Sequence, residues 1–278
     1  MFRNQYDQDI LTWSPHGRLH QVECKFKIYF SLSFSICHHF VDAMEAVKQG
    51  GASVGCKNKD HAVLVTLNRS ASELSSSQRK LFKVDDFVGI AVSGLTADGT
   101  ALVKMLRSEN ISHKFTFGSH VDISRLALKV ADNSQVRIIF DFNRSFIVYY
   151  LLSILLLQVS TQRAGARPSG VGTLIAGCDE SGCHIFQTCP SGSIYEHEAI
   201  AIGARSQASK TFLENNQIVQ ASSLNELIVF ALRALSEASV EPISELTCSV
   251  ALVGINTPFK LLDTHSLSRL IAQIYQEV

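Results

Sequence analysis

The stretch "FVGIAVSGL", Phe87 to Leu95, restricts the fold more than any other part of the chain. It is an almost unbroken apolar run, too short for a free-standing helix and bounded by turn residues, so it reads as a strand covered on both faces. A strand of that kind must lie in a sheet with material above and below it. Its neighbours agree: "ASVGCKNKDHAVLVTL" holds two β-prone runs around Asn58-Lys59-Asp60, a hairpin pattern. After the apolar run, Thr96 and Asp98 offer N-cap oxygens, and Leu102, Met105 and Leu106 mark a helix to about Asn110. A second helix fits "DISRLALKVADN", with Asp122 as its cap and Ile123, Leu126, Leu128 and Val130 on its apolar side.

Further along, "VGTLIAGCDESGCHIFQTCPSGSIYEHEAIAIG" reads as an antiparallel meander of three strands, with turns at Asp179-Glu180-Ser181-Gly182 and Pro190-Ser191-Gly192. Helices over "SQASKTFLENNQ" and "LNELIVFALRALSEA" follow, then a strand "LTCSVALVGI", a short "PFKLLD" and a terminal helix "SLSRLIAQIYQEV". Strands, two helices, strands, two helices, strands is the order of antiparallel sheets stacked between helix layers, an α+β architecture. With 278 residues, one large domain is expected.

Charge and cysteines exclude several functions. Lys plus Arg equals Asp plus Glu at 25 each, so no overall field draws the chain to nucleic acid or an anionic membrane. The seven cysteines form no CxxC pair and no secretory leader precedes them, which reads as a reduced, intracellular chain. Cys178, Cys183 and Cys189 are spaced too widely for zinc knuckles and read as buried thiols. His38-His39 beside Cys37 has no partner cluster with metal spacing, and His184 reads as a surface or satisfied core residue. "GVGTLIAG" is no nucleotide loop, because Gly172 enters a strand rather than a helix N-terminus. There is no Gly-x-Ser-x-Gly elbow. "FIVYYLLSILLLQV", Phe146 to Val159, falls short of the ~20 residues a spanning helix needs.

The N-terminal region carries a more specific pattern. "MFRNQYDQDILTWSPHGRLHQVE", followed after an interval by "AMEAVKQGGASVG", resembles the signature of α-type subunits of the proteasome core particle, in which Tyr-Asp, Ser-Pro-x-Gly-Arg and Gln-Val-Glu-Tyr-Ala-x-Glu-Ala-Val recur in order. "SGLTADG", "STQRAGARPSGVGTLIAG", "HIFQTCPSG" and "AIGARSQ" continue the likeness, and "MFRNQYD", "WSPHGRLHQ" and "AMEAVKQG" point to its type-1 branch. The resemblance implies a four-layer αββα sandwich of two antiparallel sheets, the N-terminal-nucleophile hydrolase fold, over 51–278. A gate segment and an extra helix would occupy 1–50.

Catalytic relatives in this family use a threonine whose hydroxyl and free amine act as nucleophile and base. Aligned on "GGASVG", that place is Gly51, and the partner carboxylate falls near Leu67. Only the lysine persists, as Lys80. The resemblance therefore implies no catalytic residue, no metal and no cofactor. It implies instead a ring subunit acting in ubiquitin-dependent protein degradation, in cytoplasm and nucleus, with other α subunits, β-ring subunits, and regulatory ATPases and activators as partners. Nucleic acid and membrane are not among them. Lys80 would line a pocket for a regulator's C-terminal carboxylate. Tyr6, Asp7 and Pro15 would belong to the cluster that holds the axial gate, whose fourth member should be a tyrosine where Cys24 stands. An active threonine peptidase, recognisable by a processed N-terminus at Gly51, and a membrane-associated protein, resting on 146–159 alone, are the alternatives.

Two runs break the likeness. Removing 25–42 makes the apolar spacing Leu19, Val22, Met44, Val47 continuous as one helical stripe. Cys24-Lys25 can be spelled T|GTAAG and Val41-Asp42 GTAG|AT, an intron's two ends, and joining T to AT restores the tyrosine codon. Val136-Arg137 can likewise begin GTAAGA and Gln158 can end a second intron as CAG, leaving "ADNSQVSTQRAGARP". Both runs, 25–42 and 136–158, are expected to be unspliced introns. Ala164, Ala166 and Ser169 also depart from the family's Tyr, Arg and Tyr.

Overall fold

A computed structural model describes residues 42–68, 78–134, 169–216 and 223–276. They begin with helix α1, residues 42–49, and the hairpin β1 (Ser53–Lys57) and β2 (His61–Leu67). The Asn58 side chain closes this hairpin by accepting the backbone N–H groups of Asp60 and His61. A second hairpin follows, β3 (Leu81–Asp85) and β4 (Val88–Gly94), then helix α2 (Thr96–Phe117) and helix α3, residues 123–134. Next come β5 (Val171–Asp179), β6 (Gly182–Thr188), β7 (Ile194–Glu196) and β8 (Ala199–Ile202). Helices α4 (Ser206–Asn215) and α5 (Leu224–Ala238), strands β9 (Cys248–Gly254) and β10 (Thr257–Leu261), and helix α6 (Thr264–Gln276) complete the order.

The strands form two five-stranded antiparallel sheets, ordered β10-β9-β2-β1-β8 and β3-β4-β5-β6-β7. Alternation assigns the layers. On β2, Val63 and Val65 face α4, α5 and α6 in one core, while Ala62 and Leu64 face the opposite sheet in a second. On β4, Ile90 and Val92 turn toward α2 and α3 in a third core, and Ala91 turns inward. Both faces of each central strand are therefore apolar, which is why "FVGIAVSGL" shows no alternation. The result is the expected four-layer αββα sandwich.

Local signals explain most elements. Helix α5 carries a capping box: the Glu226 N–H donates to Ser223 Oγ, and the Ser223 N–H donates to Glu226 Oε2. This arrangement satisfies two otherwise orphaned donors and contributes about 1 kcal/mol. Its face of Leu227, Ala231, Leu232 and Leu235 is wholly buried.

Several expectations need correction. Strand β3 was not anticipated. Leu81 and Val84 are buried but Lys83 is exposed, so this edge strand carries little apolar signal. Helix α2 runs on to Phe117, and its N-cap is Leu95 without a side-chain cap; the Asp98 carboxylate instead accepts from the Gly170 N–H at 3.2 Å. Leu128 is 56% exposed, and Ala127 takes the inward place on α3. The anticipated three-strand meander is four strands, and β8 leaves it to pair with β1 in the other sheet. Cys178 and Cys183, expected as reduced thiols, form a disulfide across β5 and β6, where they are register partners. Two cysteines placed symmetrically around Asp179-Glu180-Ser181-Gly182 face one another once the hairpin closes. Among the described residues no helix is long and apolar enough to cross a membrane.

Candidate functional site

Gly51, Leu67 and Lys80, far apart in sequence, meet where β1 begins, β2 ends and β3 begins. Backbone bonds fix the first two: the Leu67 N–H donates to Ala52 O at 2.8 Å, and the Ala204 N–H donates to Gly50 O at 2.7 Å. Lys80 is held by its own carbonyl, which accepts from the Val92 N–H at 3.0 Å. Its ammonium reaches back across the crevice and donates to Leu67 O at 2.5 Å. A Cβ built on Gly51 would collide with that ammonium and lie 2.8 Å from Leu67 O. The lysine thus occupies the space over position 51.

Chemically, Lys80 is the cation among these three positions, and none of the three supplies an attacking group. Position 51 has no side chain, and position 67 presents a peptide carbonyl rather than a carboxylate. An ammonium alone neither attacks a carbonyl nor accepts a proton. It can hold an anion.

Sequence reading missed the residue that joins this crevice to α1. Ser93 lies on β4, 1% exposed, and its hydroxyl is 3.2 Å from Val47 O and 3.1 Å from Gly51 O. One hydroxyl hydrogen serves both acceptors in turn, tying the end of α1 to the start of β1. Ala43 and Ala46 pack against Leu95 beside it. "SGLTADG" contains Ser93, but nothing local reveals that its side chain turns toward α1. Tyr6, Asp7, Pro15, Cys24, His38 and His39, and the runs 136–158 and 146–159, lie outside the described residues.

At the opposite end of β1 a second polar cluster spans the two sheets. Lys57 Nζ is 2.6 Å from Glu196 Oε1, and the same oxygen accepts from His184 Nδ1 at 2.7 Å. A carboxylate cannot donate, so Nδ1 of His184 carries the proton. The hydrogen bond from Lys57, then that from His184, holds the Glu196 carboxyl below the usual glutamate range, against a smaller opposing effect of burial. A carboxyl lowered on folding adds stability above its unfolded value, and loses it as pH falls through its folded value. Replacing Lys57 by methionine is expected to move the Glu196 titration up toward that of an ordinary glutamate in an NMR pH series. An unmoved titration would show that Lys57 is not its main support. Burial pushes Asp85 up, but hydrogen bonds from Asn110 and His120 outweigh this and leave it lowered.

Burial pushes the thiols of Cys56 and Cys248 up to about 12, which makes them inert. Among the described residues no group of three or more His, Cys, Asp or Glu is arranged to hold a metal.

Comparison with known proteins gives the crevice a context. The proteasome subunit family model matches residues 47–156 and 152–253, two pieces that meet inside the second odd run. Proteasome subunit alpha type-1 of Dictyostelium discoideum is 43% identical over 267 residues, 95% of this chain and 91% of that protein. The Drosophila melanogaster protein of the same name is 38% identical over 278 residues, covering 98% and 85%. A probable proteasome subunit alpha type-6 of Schizosaccharomyces pombe is 39% identical over 266 residues, covering 95% and 83%.

Proposed function

The chain belongs to the proteasome subunit family, and from that premise we propose that it is a non-catalytic α-ring subunit of a proteasome core particle. It builds the ring with other α subunits, rests on β-ring subunits, and helps to gate substrate entry and to dock regulatory ATPases and activators. Its place of work is the cytoplasm and nucleus. The observation that carries this reading is Gly51, a residue without a side chain, with Lys80 over it.

In this reading Lys80 meets the C-terminal carboxylate of a regulator, the charge-assisted bond gaining strength in a half-buried crevice. Tyr6, Asp7, Pro15 and the residue at position 24 contribute to the gate. The runs 25–42 and 136–158 are retained introns, and the split of the family match within the second of them supports that.

Tagging the chain in its own cells and treating the purified complex with a covalent threonine-directed inhibitor tests the reading. The chain is expected to co-purify with core-particle subunits and to stay unlabelled while other subunits take the inhibitor. Label on a polypeptide that begins at residue 51 would establish a peptidase instead.

A further inference from the structure

The disulfide lies beside the cluster that links the two sheets. Cys183 lines an open cleft of about 450 Å³ formed by the β1–β2, β5–β6 and β9–β10 turns, with Lys57, Lys59, Ser181, His184 and Glu198 among its walls. Cys178 and Cys183 are 8% and 5% exposed, and their side chains close the end of the core between the sheets. The next residues outward, Asp179 and Gly182, form the last pair of the β5–β6 ladder. Asp179 then accepts from the Ser181 backbone N–H at 2.9 Å, and Ser181 Oγ lies 2.8 Å from His184 Nε2. His184 in turn meets Glu196, and Glu196 meets Lys57 of the other sheet. The covalent link thus sits at the base of a turn whose side chains continue, bond by bond, across the sandwich.

The other described cysteines lack this arrangement. Cys56 and Cys248 are buried against the helix layer and remain thiols. Cys189 is a thiol whose sulfur accepts from the Gln187 side-chain amide at 3.7 Å.

We propose that Cys178 and Cys183 form a reversible dithiol–disulfide site served by small thiols of the glutathione class through the cleft at Cys183, and that oxidation stiffens the turn holding the His184 network. In reduction, a thiolate RS⁻ attacks Cys183 Sγ, the S–S bond breaks, and Cys178 leaves with the electron pair and takes up a proton. A second RSH displaces Cys183 from the mixed disulfide and departs as RSSR. Two thiols are oxidised and one protein disulfide is reduced, and oxidation by RSSR is the reverse. The site does not depend on the proposed place in a ring.

The test equilibrates the purified full chain in glutathione buffers from fully reduced to fully oxidised, quenches with acid, alkylates, and weighs the peptide carrying both cysteines. Alkylation of the two is expected to fall together as the oxidised fraction rises and to return on re-reduction. Amide exchange over 179–182 should slow about tenfold in the oxidised form. In Cys178→Ser, Cys183 should appear as a mixed disulfide with glutathione under oxidising conditions, and Cys189→Ser should leave the transition unmoved. Alkylation of both cysteines at every ratio, protection at every ratio, an unmodified Cys183 in Cys178→Ser, equal exchange rates, or a transition abolished by Cys189→Ser would each overturn the proposal.

Discussion

A chain in which residues 24–42 are replaced by one tyrosine and 136–158 are removed is expected to migrate with assembled core particle on a native gel, while the 278-residue chain stays in the free-subunit fraction. The reason lies in α1. Its described turns seat Ala43 and Ala46, at 0% and 6% exposure, against Leu95, and its final turn is tied by Ser93 through Val47 O. Those contacts place the helix over the crevice end of the sandwich. The stripe that would extend it, Leu19 and Val22, joins Met44 and Val47 in helical spacing only when the intervening residues are gone. A helix of two or three turns is marginal alone, so cutting it short costs cooperativity as well as contacts. The inserted residues would also carry an aromatic, weakly charged stretch onto a surface meant for neighbours.

The two segments should differ in weight. The second falls in the chain between α3 and β5 and leaves the residues of α1 unchanged. Restoring the first alone should recover most of the assembly. Co-migration of the 278-residue chain with the intact particle, or both segments in abundant mature transcript, would end the retained-intron account.

Gly94→Ala is expected to cost about 3 kcal/mol of unfolding free energy, read as a fall in the urea midpoint at unchanged slope. Gly94 closes β4 with φ +119°, a conformation L-residues rarely adopt. A Cβ there would strike Gly170 O, the carbonyl that also accepts from the Leu95 N–H at 3.0 Å. Backbone stands on both sides of the clash, so no rotamer relieves it. Gly118 is the control. It caps α2 in the left-handed region with φ +71° and no atom within 4 Å of an added Cβ, so Gly118→Ala should cost only about 1 kcal/mol. If the two variants lose equal stability, the steric argument fails.

Particular elements show how far the chain could be read without coordinates. Helix α5 was legible from end to end, because its apolar residues Leu224, Leu227, Ala231 and Leu235 fall at helical spacing within one short window, whereas its capping box emerged only in the structure. The β1–β2 hairpin was legible from Asn58-Lys59-Asp60 for the same reason. The distal half of α2 was not, since Ile111, Phe115 and Phe117 point outward and form no core stripe. Strand β3 is an edge whose charges break the pattern, and β8 reads locally as one more strand of a meander although it belongs to the other sheet.

At the site, the alignment of Gly51, Leu67 and Lys80 was visible in motifs, and their meeting in one crevice is what the fold supplies. The unbroken apolar runs, the helical stripes and the family motifs pointed to the layers and to a glycine at position 51, because each is written over a few neighbouring residues. Only the tertiary structure decided that Lys80 covers Gly51, that Ser93 binds two carbonyls, and that Cys178 meets Cys183 below a turn linked to Lys57. Those contacts join segments that are distant in the chain or depend on a hairpin closing in register, and nothing along the sequence records such distances.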